Sequence, residues 1–227
     1  MLESGVMKVA IIDYGMGNLF SVKQACEYSG LQAVITSDAR QLLSAKAAIL
    51  PGVGSFGDAI TTLAKNDLIA PIKDFIQSQK PFMGICLGMQ LLFNESEEFG
   101  NHVGLGVISG RVVKFPVTVE CGIKNKVPQI GWNKIEKPTY RDNGFWNNTL
   151  LCGINEGEYM YFVHSYYCQP DDRMFDLSIT NYSGVEYCSS IMSDNVIAFQ
   201  FHPERSTSRG LLIYKNFAEK ILGVSRK

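Results

Sequence analysis

Four short apolar runs, separated by segments with helical periodicity, mark the first half of the chain. They lie at residues 9–13, 33–35, 47–50 and 82–85. A helix is predicted over residues 18–29, and a helical region, broken near residues 66–71, over 56–79. Continuous apolar strands that alternate with helices are typical of a parallel sheet covered on both faces.

The second half of the chain carries strand patterns joined by turns instead. We predict strands at residues 107–114, 127–135, 159–168, 175–181, 185–192 and 196–201. A last helix is expected from the cap residue Ser206 to residue 222. No linker separates the halves, so we expect one domain over residues 1–227, with residues 1–6 as an unpatterned extension. The fold class predicted is α/β, with a central, mostly parallel sheet and an antiparallel extension.

Composition excludes several classes of function. The net charge of −1 predicts no broad attraction to nucleic acid or to an anionic membrane, and the early apolar run is too short to span a bilayer. The six cysteines, at positions 26, 86, 121, 152, 168 and 188, form no C-x-x-C pair, which indicates reduced thiols and a cytoplasmic protein. With three scattered histidines, no metal site or cofactor is expected.

The segment 80–92 carries the clearest sign of chemistry. A buried strand is predicted to turn into a helix at Cys86, with Gly84 and Gly88 two residues to either side. This is the G-x-nucleophile-x-G elbow, with sulfur in place of a serine oxygen. The N–H groups at the start of the following helix favour the reactive thiolate. Cys86 is therefore the candidate nucleophile.

A base for this nucleophile is predicted near the end of the chain. His202 and Glu204 lie two residues apart on an extended segment, so their side chains point the same way. A carboxylate beside an imidazole can hold one ring nitrogen and leave the other for the thiol. We therefore predict a catalytic triad of Cys86, His202 and Glu204.

An acyl-transfer reaction also needs two hydrogen-bond donors for the oxyanion. The backbone N–H of Leu87, the residue after the nucleophile, is one candidate. The segment 51–54, Pro-Gly-Val-Gly, follows a predicted parallel strand, and its glycines allow a backbone N–H of Val53 or Gly54 to turn into the site. The sequence therefore predicts an oxyanion hole formed by Val53, Gly54 and Leu87.

Together these motifs resemble the class I, or triad, glutamine amidotransferases. The resemblance rests on the Pro-Gly-Val-Gly, Gly-Ile-Cys-Leu-Gly-Met-Gln and Gln-Phe-His-Pro-Glu segments. Three more segments, at residues 13–18, 129–133 and 161–166, are similar to the family of glutaminase subunits of imidazole glycerol phosphate synthase. The likeness extends from about residue 8 to residue 222.

The resemblance implies a flavodoxin-like amidotransferase fold and a division of labour among the residues. Glutamine would be hydrolysed to glutamate and ammonia, and the ammonia would pass to a (β/α)-barrel cyclase subunit of the same synthase. That partner would use it to make imidazole glycerol phosphate and an aminoimidazole carboxamide ribotide in histidine biosynthesis. By similarity, the substrate glutamine is held by Gly54, Gln90, Ser165 and Tyr166. The partner-facing positions are Asn18, Trp132, Asn133 and Arg205.

Other functions remain open from the sequence. Gln129 stands where the family often has histidine, and the segment 186–190 resembles paralogues that supply ammonia for amidination of a surface sugar. The two further alternatives are a stand-alone cysteine hydrolase and a non-catalytic interaction subunit. The acidic run 95–98 is expected to be a solvated helix end.

Overall fold

The computed structural model of the protein describes residues 8–117, 119–120 and 123–223. The expected extension at residues 1–6 and Cys121 lie outside these ranges. The strands are β1 Lys8–Ile12, β2 Gln32–Thr36, β3 Ala47–Gly52, β4 Phe82–Cys86, β5 Phe93–Ser96, β6 His102–Val103, β7 Ile108–Lys114, β8 Val119–Glu120, β9 Ile123–Lys124, β10 Gln129–Ile135, β11 Glu158–His164, β12 Tyr166–Pro170, β13 Asp176–Tyr182, β14 Val185–Ser193 and β15 Val196–Phe199. The helices are α1 Leu19–Tyr28, α2 Ala39–Ser44, α3 Phe56–Lys65, α4 Ile69–Gln77, α5 Leu87–Gln90 and α6 Thr207–Leu222.

One large mixed sheet organises the molecule. Within the described residues it has eleven strands in the order β2-β1-β3-β4-β15-β14-β12-β7-β5-β6, with β13 also paired to β14. Strands β2, β1, β3, β4 and β15 run parallel to their neighbours, whereas β15–β14, β14–β13, β14–β12 and β12–β7 are antiparallel pairs. The parallel sheet with an antiparallel extension, predicted from the apolar pattern, is confirmed.

Both faces of the parallel part are buried. Successive residues of β1 alternate between two apolar clusters, with Val9 and Ile11 in one and Ala10 and Ile12 in the other. Helices α1 and α6 contribute to the first cluster, and α3 and α4 to the second. The alternation has the strand period of two, which is why an uninterrupted apolar run marks a strand covered on both sides.

Several local predictions differ from the structure. The strand expected over residues 159–168 is two strands that part at Ser165, since β11 pairs with β10 in a separate sheet and β12 joins the large one. Ser206 precedes α6, but its hydroxyl donates to the carbonyl of His202 and accepts the N–H of Tyr161 instead of capping the helix. The acidic run 95–98 is not a helix end, because it starts in strand β5. Helix α2 was not predicted.

None of the helices in the described ranges is long and apolar enough to cross a lipid bilayer.

Candidate active site

The nucleophile elbow forms because strand β4 ends at Cys86 in a backbone conformation that costs energy. Cys86 has φ 54° and ψ −111°, outside the regions that residues with side chains ordinarily adopt. A Cβ atom added at Gly88 would lie 1.8 Å from the carbonyl oxygen of Leu50, and one at Gly84 would lie 2.9 Å from the Cβ of Ala198. The two glycines let β3 and β15 pack closely against the elbow.

The sheet brings the base to the nucleophile. Strand β15 pairs directly with β4, and Phe199 is in register with Ile85, next to Cys86. Three residues beyond the end of β15, the Nδ1 atom of His202 lies 2.8 Å from Oε1 of Glu204. Both side chains are almost fully buried. The two halves of the predicted triad therefore meet through the pairing of adjacent parallel strands.

The surroundings of His202 favour its charged form. Burial opposes the imidazolium, but the nearby Cys86 sulfur and the Glu204 carboxylate outweigh burial and raise the pKa of His202 to about 10. Glu204 occupies Nδ1, and the other ring nitrogen, Nε2, is buried without a hydrogen-bond partner among the described residues. Nε2 is thus the atom available to exchange a proton with the sulfur or with a leaving group.

A cavity of about 240 Å³ opens in front of Cys86 and His202. It brings together the predicted oxyanion and glutamine-binding residues, and Glu204 stands behind His202. The residues that line it are Val53, Gly54, Cys86, Leu87, Gln90, Glu98, Val163, His164, Ser165, Tyr166 and His202. A larger groove of about 800 Å³ lies on the antiparallel part of the sheet and is lined by none of the predicted site residues.

Two residues at this site carry no role in the sequence-based prediction. Glu98 lines the cavity, and its carboxylate accepts the N–H of Phe56 at 2.6 Å. Burial raises the pKa of Glu98, and the Phe56 hydrogen bond opposes that rise in part. Gln200 lies between Gln90 and Cys86 and contacts both. No sequence pattern assigns a role to either residue. Glu98 belongs to an acidic run, and Gln200 is part of the Gln-Phe-His-Pro-Glu segment, in which the histidine draws the attention.

The four residues expected at the partner surface do not form a single cluster. Trp132 packs against Tyr161 with ring centroids 5.9 Å apart, and the Arg205 guanidinium lies 4.7 Å from the centre of the same ring. Tyr161 in turn lies 6.5 Å from the His202 ring. Asn18 is exposed at the start of α1. Asn133 donates to the carbonyl of Asn181, a contact within the fold.

Comparison with known proteins agrees with this geometry. The model of the family described as "Glutamine amidotransferase class-I" matches residues 10–221. Two relatives named imidazole glycerol phosphate synthase subunit HisH are each 47% identical to this chain. The one from Rhodopirellula baltica aligns over 92% of this chain and 96% of its own length, and the one from Caldanaerobacter subterraneus over 94% and 98%. The chain belongs to the class-I glutamine amidotransferase family.

Solved structures support the same fold for this amidotransferase. PurLQS from Thermotoga maritima superposes with a TM-score of 0.70 at 18% identity, covering 94% of this chain and 98% of that chain. The glutaminase domain of CTPS from Trypanosoma brucei gives a TM-score of 0.66 at 15% identity, over 97% and 96%. At these identities the likeness concerns the fold alone. The family and the fold class expected from the sequence are confirmed.

Proposed function

We propose that this amidotransferase is the glutaminase subunit of an imidazole glycerol phosphate synthase, and that residues 1–227 form one domain. Its relatives at 47% identity carry the name of that synthase's subunit HisH over nearly their full length. The observation that carries the proposal is the cavity in which a strained cysteine faces a buried histidine–glutamate pair. A nucleophilic thiol must stay reduced, so the cytoplasm is the compartment proposed.

The chemistry starts at the Cys86 sulfur. The thiolate attacks the side-chain amide carbon of glutamine, and the oxygen of that amide takes up the negative charge. The backbone N–H of Leu87 and one N–H from the Val53–Gly54 peptides stabilise it. His202, protonated and held by Glu204, gives its proton from Nε2 to the amide nitrogen; the C–N bond breaks, ammonia leaves and a glutamyl thioester forms. His202 then takes a proton from water, which attacks the thioester and releases glutamate.

The same cavity offers partners for the α-amino acid end of glutamine. An α-ammonium group needs a negatively charged neighbour, and Glu98 is the carboxylate that lines the cavity. Gln90, Ser165 and Tyr166 line it as well and supply polar atoms for the rest of the substrate. Glu98 is therefore added to the glutamine-binding residues predicted from the sequence.

The partner proposed is a (β/α)-barrel cyclase that receives the ammonia. Trp132 is half exposed, and it lies with Tyr161 and Arg205 on a surface that leads directly to His202. Exposed aromatic and arginine side chains are typical of binding hot spots. This surface, together with Asn18, is the proposed docking site, whereas the contact of Asn133 with Asn181 gives it a structural role too.

Cys86→Ala tests the assignment of the nucleophile. In the complex with the barrel partner, we expect glutamine-dependent product formation to fall by at least about a thousandfold, because no thioester can form. Turnover with added ammonium chloride should continue, since the cyclase does not use Cys86. Cys26→Ser is the control, because Cys26 lies on the buried face of α1, in the core. Glutamine hydrolysis by Cys86→Ala at the wild-type rate would contradict the proposal.

Complementation separates this function from amidination of a surface sugar. Both reactions use the same triad, so no active-site variant distinguishes them. Expressed with its own barrel partner in a strain that lacks the glutaminase subunit, the chain should restore growth without histidine. Failure to grow, combined with ammonia transfer to a nucleotide-sugar acceptor in vitro, would favour the paralogous function.

A further inference from the structure

We infer that Gln200 is a positioning residue that donates a hydrogen bond to the Cys86 sulfur and fixes the orientation of Gln90. This inference rests on the proposed glutaminase reaction and deepens it. The Nε2 atom of Gln200 lies 3.7 Å from Sγ of Cys86, within reach of an N–H···S hydrogen bond. Its Oε1 atom accepts a hydrogen bond of 3.0 Å from Nε2 of Gln90. One side-chain amide therefore contacts both the nucleophile and a wall of the substrate cavity.

The orientation of the two amides follows from one backbone carbonyl. Nε2 of Gln90 lies 2.9 Å from the carbonyl oxygen of Tyr166, and a carbonyl oxygen only accepts hydrogen bonds. The atom of Gln90 at this place must therefore be its nitrogen. Because that nitrogen donates, the atom of Gln200 that faces it must be the oxygen, and the NH₂ group of Gln200 must face the sulfur.

The Tyr166 carbonyl is itself held in place. Nδ1 of His164 lies 2.8 Å from the same oxygen and donates to it. Burial lowers the pKa of His164 to about 4, although the bond to Tyr166 opposes this shift, so His164 is neutral near pH 7. The Nδ1–H tautomer and the Gln90 amide thus satisfy both lone pairs of one carbonyl.

Burial strengthens the hydrogen bonds that Gln200 makes. Gln200 is fully buried, and Gln90 and Cys86 are nearly so. In such surroundings a donor aimed at a thiolate is stronger than in water, because little solvent competes with it. The backbone N–H of Gln200 bonds the carbonyl of Ser189 at 2.9 Å, which fixes the start of the side chain relative to the sheet. Gln200 therefore stabilises the charged sulfur without moving.

The arrangement also determines what Gln90 offers the substrate. Both N–H bonds of its amide are used, one on Tyr166 and one on Gln200. Its Oε1 atom is left as an acceptor, and Gln90 lines the cavity. Gln90 should therefore recognise a donor of the substrate glutamine, and losing Gln200 should let the Gln90 amide rotate.

Two substitutions separate the two contacts of Gln200. Gln200→Glu keeps an acceptor for Gln90 but removes the donor to sulfur and adds a negative charge. We expect kcat for glutamine hydrolysis by the complex to fall about tenfold or more, with KM within about twofold of wild type. Gln200→Met removes both contacts, so kcat should fall and KM should rise by several-fold.

A second readout reports on the sulfur directly. In the full chain, the rate at which iodoacetamide alkylates Cys86 is measured against pH by mass spectrometry of its peptide. The midpoint of this profile should move up by about one pH unit in both variants, because the thiolate has lost a donor. His202, Tyr14 and Cys168 are among the titratable groups whose charges interact with Cys86 in the described part of the chain, and none of them is changed in these variants.

Asn216→Leu is the matched control, because Asn216 is a buried amide that donates to the carbonyls of Leu150 and Cys152. It should lower the melting temperature without moving the alkylation midpoint. If the Gln200 variants fold poorly, Gln90→Leu tests the same contacts from the other end and should move the midpoint in the same direction. An unchanged midpoint in folded Gln200→Met or Gln90→Leu would overturn the inference.

The alkylation profile does not depend on turnover, so the two hypotheses fail in different ways. Wild-type protein that lacks glutaminase activity in its complex would contradict the proposed function. A midpoint that shifts in such a protein would still support Gln200 as the donor to sulfur.

Discussion

The two walls of the active site differ in how firmly they are built. The triad wall, Cys86 with His202 and Glu204, is buried and tied together by strand pairing and a short hydrogen bond. The oxyanion loop, residues 51–54, exposes 42% of Val53 and holds Gly54 at φ +103°. In the proposed mechanism, the groups that move protons are therefore buried together before substrate arrives, whereas the loop proposed to supply one oxyanion donor is the more exposed part of the site.

The neighbours of the oxyanion loop suggest what adjusts it. The atom nearest to a Cβ built on Gly54 is the end of the flexible Met16 side chain, at 2.6 Å. A Cβ built on Gly17 would lie 3.7 Å from Pro51. Met16 and Gly17 both belong to the turn that leads to Asn18, one of the proposed partner contacts. We therefore expect a partner bound at Asn18 to act on the loop through this turn.

Breaking the triad wall should have the largest effect on catalysis. We expect His202→Ala to lower kcat for glutamine hydrolysis by at least about a hundredfold, because the substitution removes the proposed proton donor for the leaving nitrogen. Glu204→Gln should lower it less, since a neutral amide still orients the imidazole. The measurement is glutamate release by the complex at saturating glutamine. Equal and negligible effects of the two substitutions would exclude the triad.

Binding of the partner should activate the glutaminase reaction by acting on the oxyanion loop, while the triad wall stays unchanged. We expect the isolated chain to be a poor glutaminase, and the complex with the cyclase substrate bound to be more than about a hundredfold faster. A shift of about 3 kcal/mol between two orientations of one loop peptide suffices for such a factor. Glutamate release by the isolated chain and by the complex measures it. Full activity of the isolated chain would remove this mechanism.

A pair of glycine variants locates that effect in the loop. Gly54→Ala and Gly184→Ala both place a side chain at positive φ, with φ +103° and +80°, so both should lose stability. A Cβ at Gly184, in the turn between β13 and β14, has nothing within 4 Å. Gly54→Ala should therefore reduce activation by the partner, and Gly184→Ala should leave it unchanged.

The difference between the walls also explains what the sequence could reveal. The elbow around Cys86 is a local pattern, because the strain of one turn dictates it. His202 and Glu204 are also close in sequence, but the extended segment predicted for them is wrong: a 3-10 turn at Pro203–Arg205 brings their side chains together. The role of Gln200 depends on the register between β15 and β4 and on a carbonyl of β12, which no local pattern encodes. Strand periodicity also does not say which sheet a strand joins, so the sequence predicts one strand over residues 159–168 where the structure has two that part at Ser165.

Glu98 is the residue that sequence reasoning missed by treating a charge run as solvated, and its prediction concerns binding more than rate. We expect Glu98→Gln to raise KM for glutamine by about tenfold, because a neutral amide attracts the α-ammonium group less than a carboxylate does. The change in kcat should be small, since the α-ammonium group lies away from the reacting amide. KM and kcat of the complex are measured between pH 5 and pH 8.

Acid should act on the wild type in the same direction as this substitution. Burial raises the pKa of Glu98, so its carboxylate takes up a proton at a higher pH than an exposed one and loses its attraction for the ammonium group. In wild type, KM should therefore rise as the pH is lowered, and in Glu98→Gln that rise should be weaker. Glu97→Gln is the control, because Glu97 accepts the N–H of Lys114 and does not line the cavity. If Glu97→Gln raised KM as much as Glu98→Gln does, the negative charge of the whole acidic run, and not a contact between Glu98 and glutamine, would explain the effect.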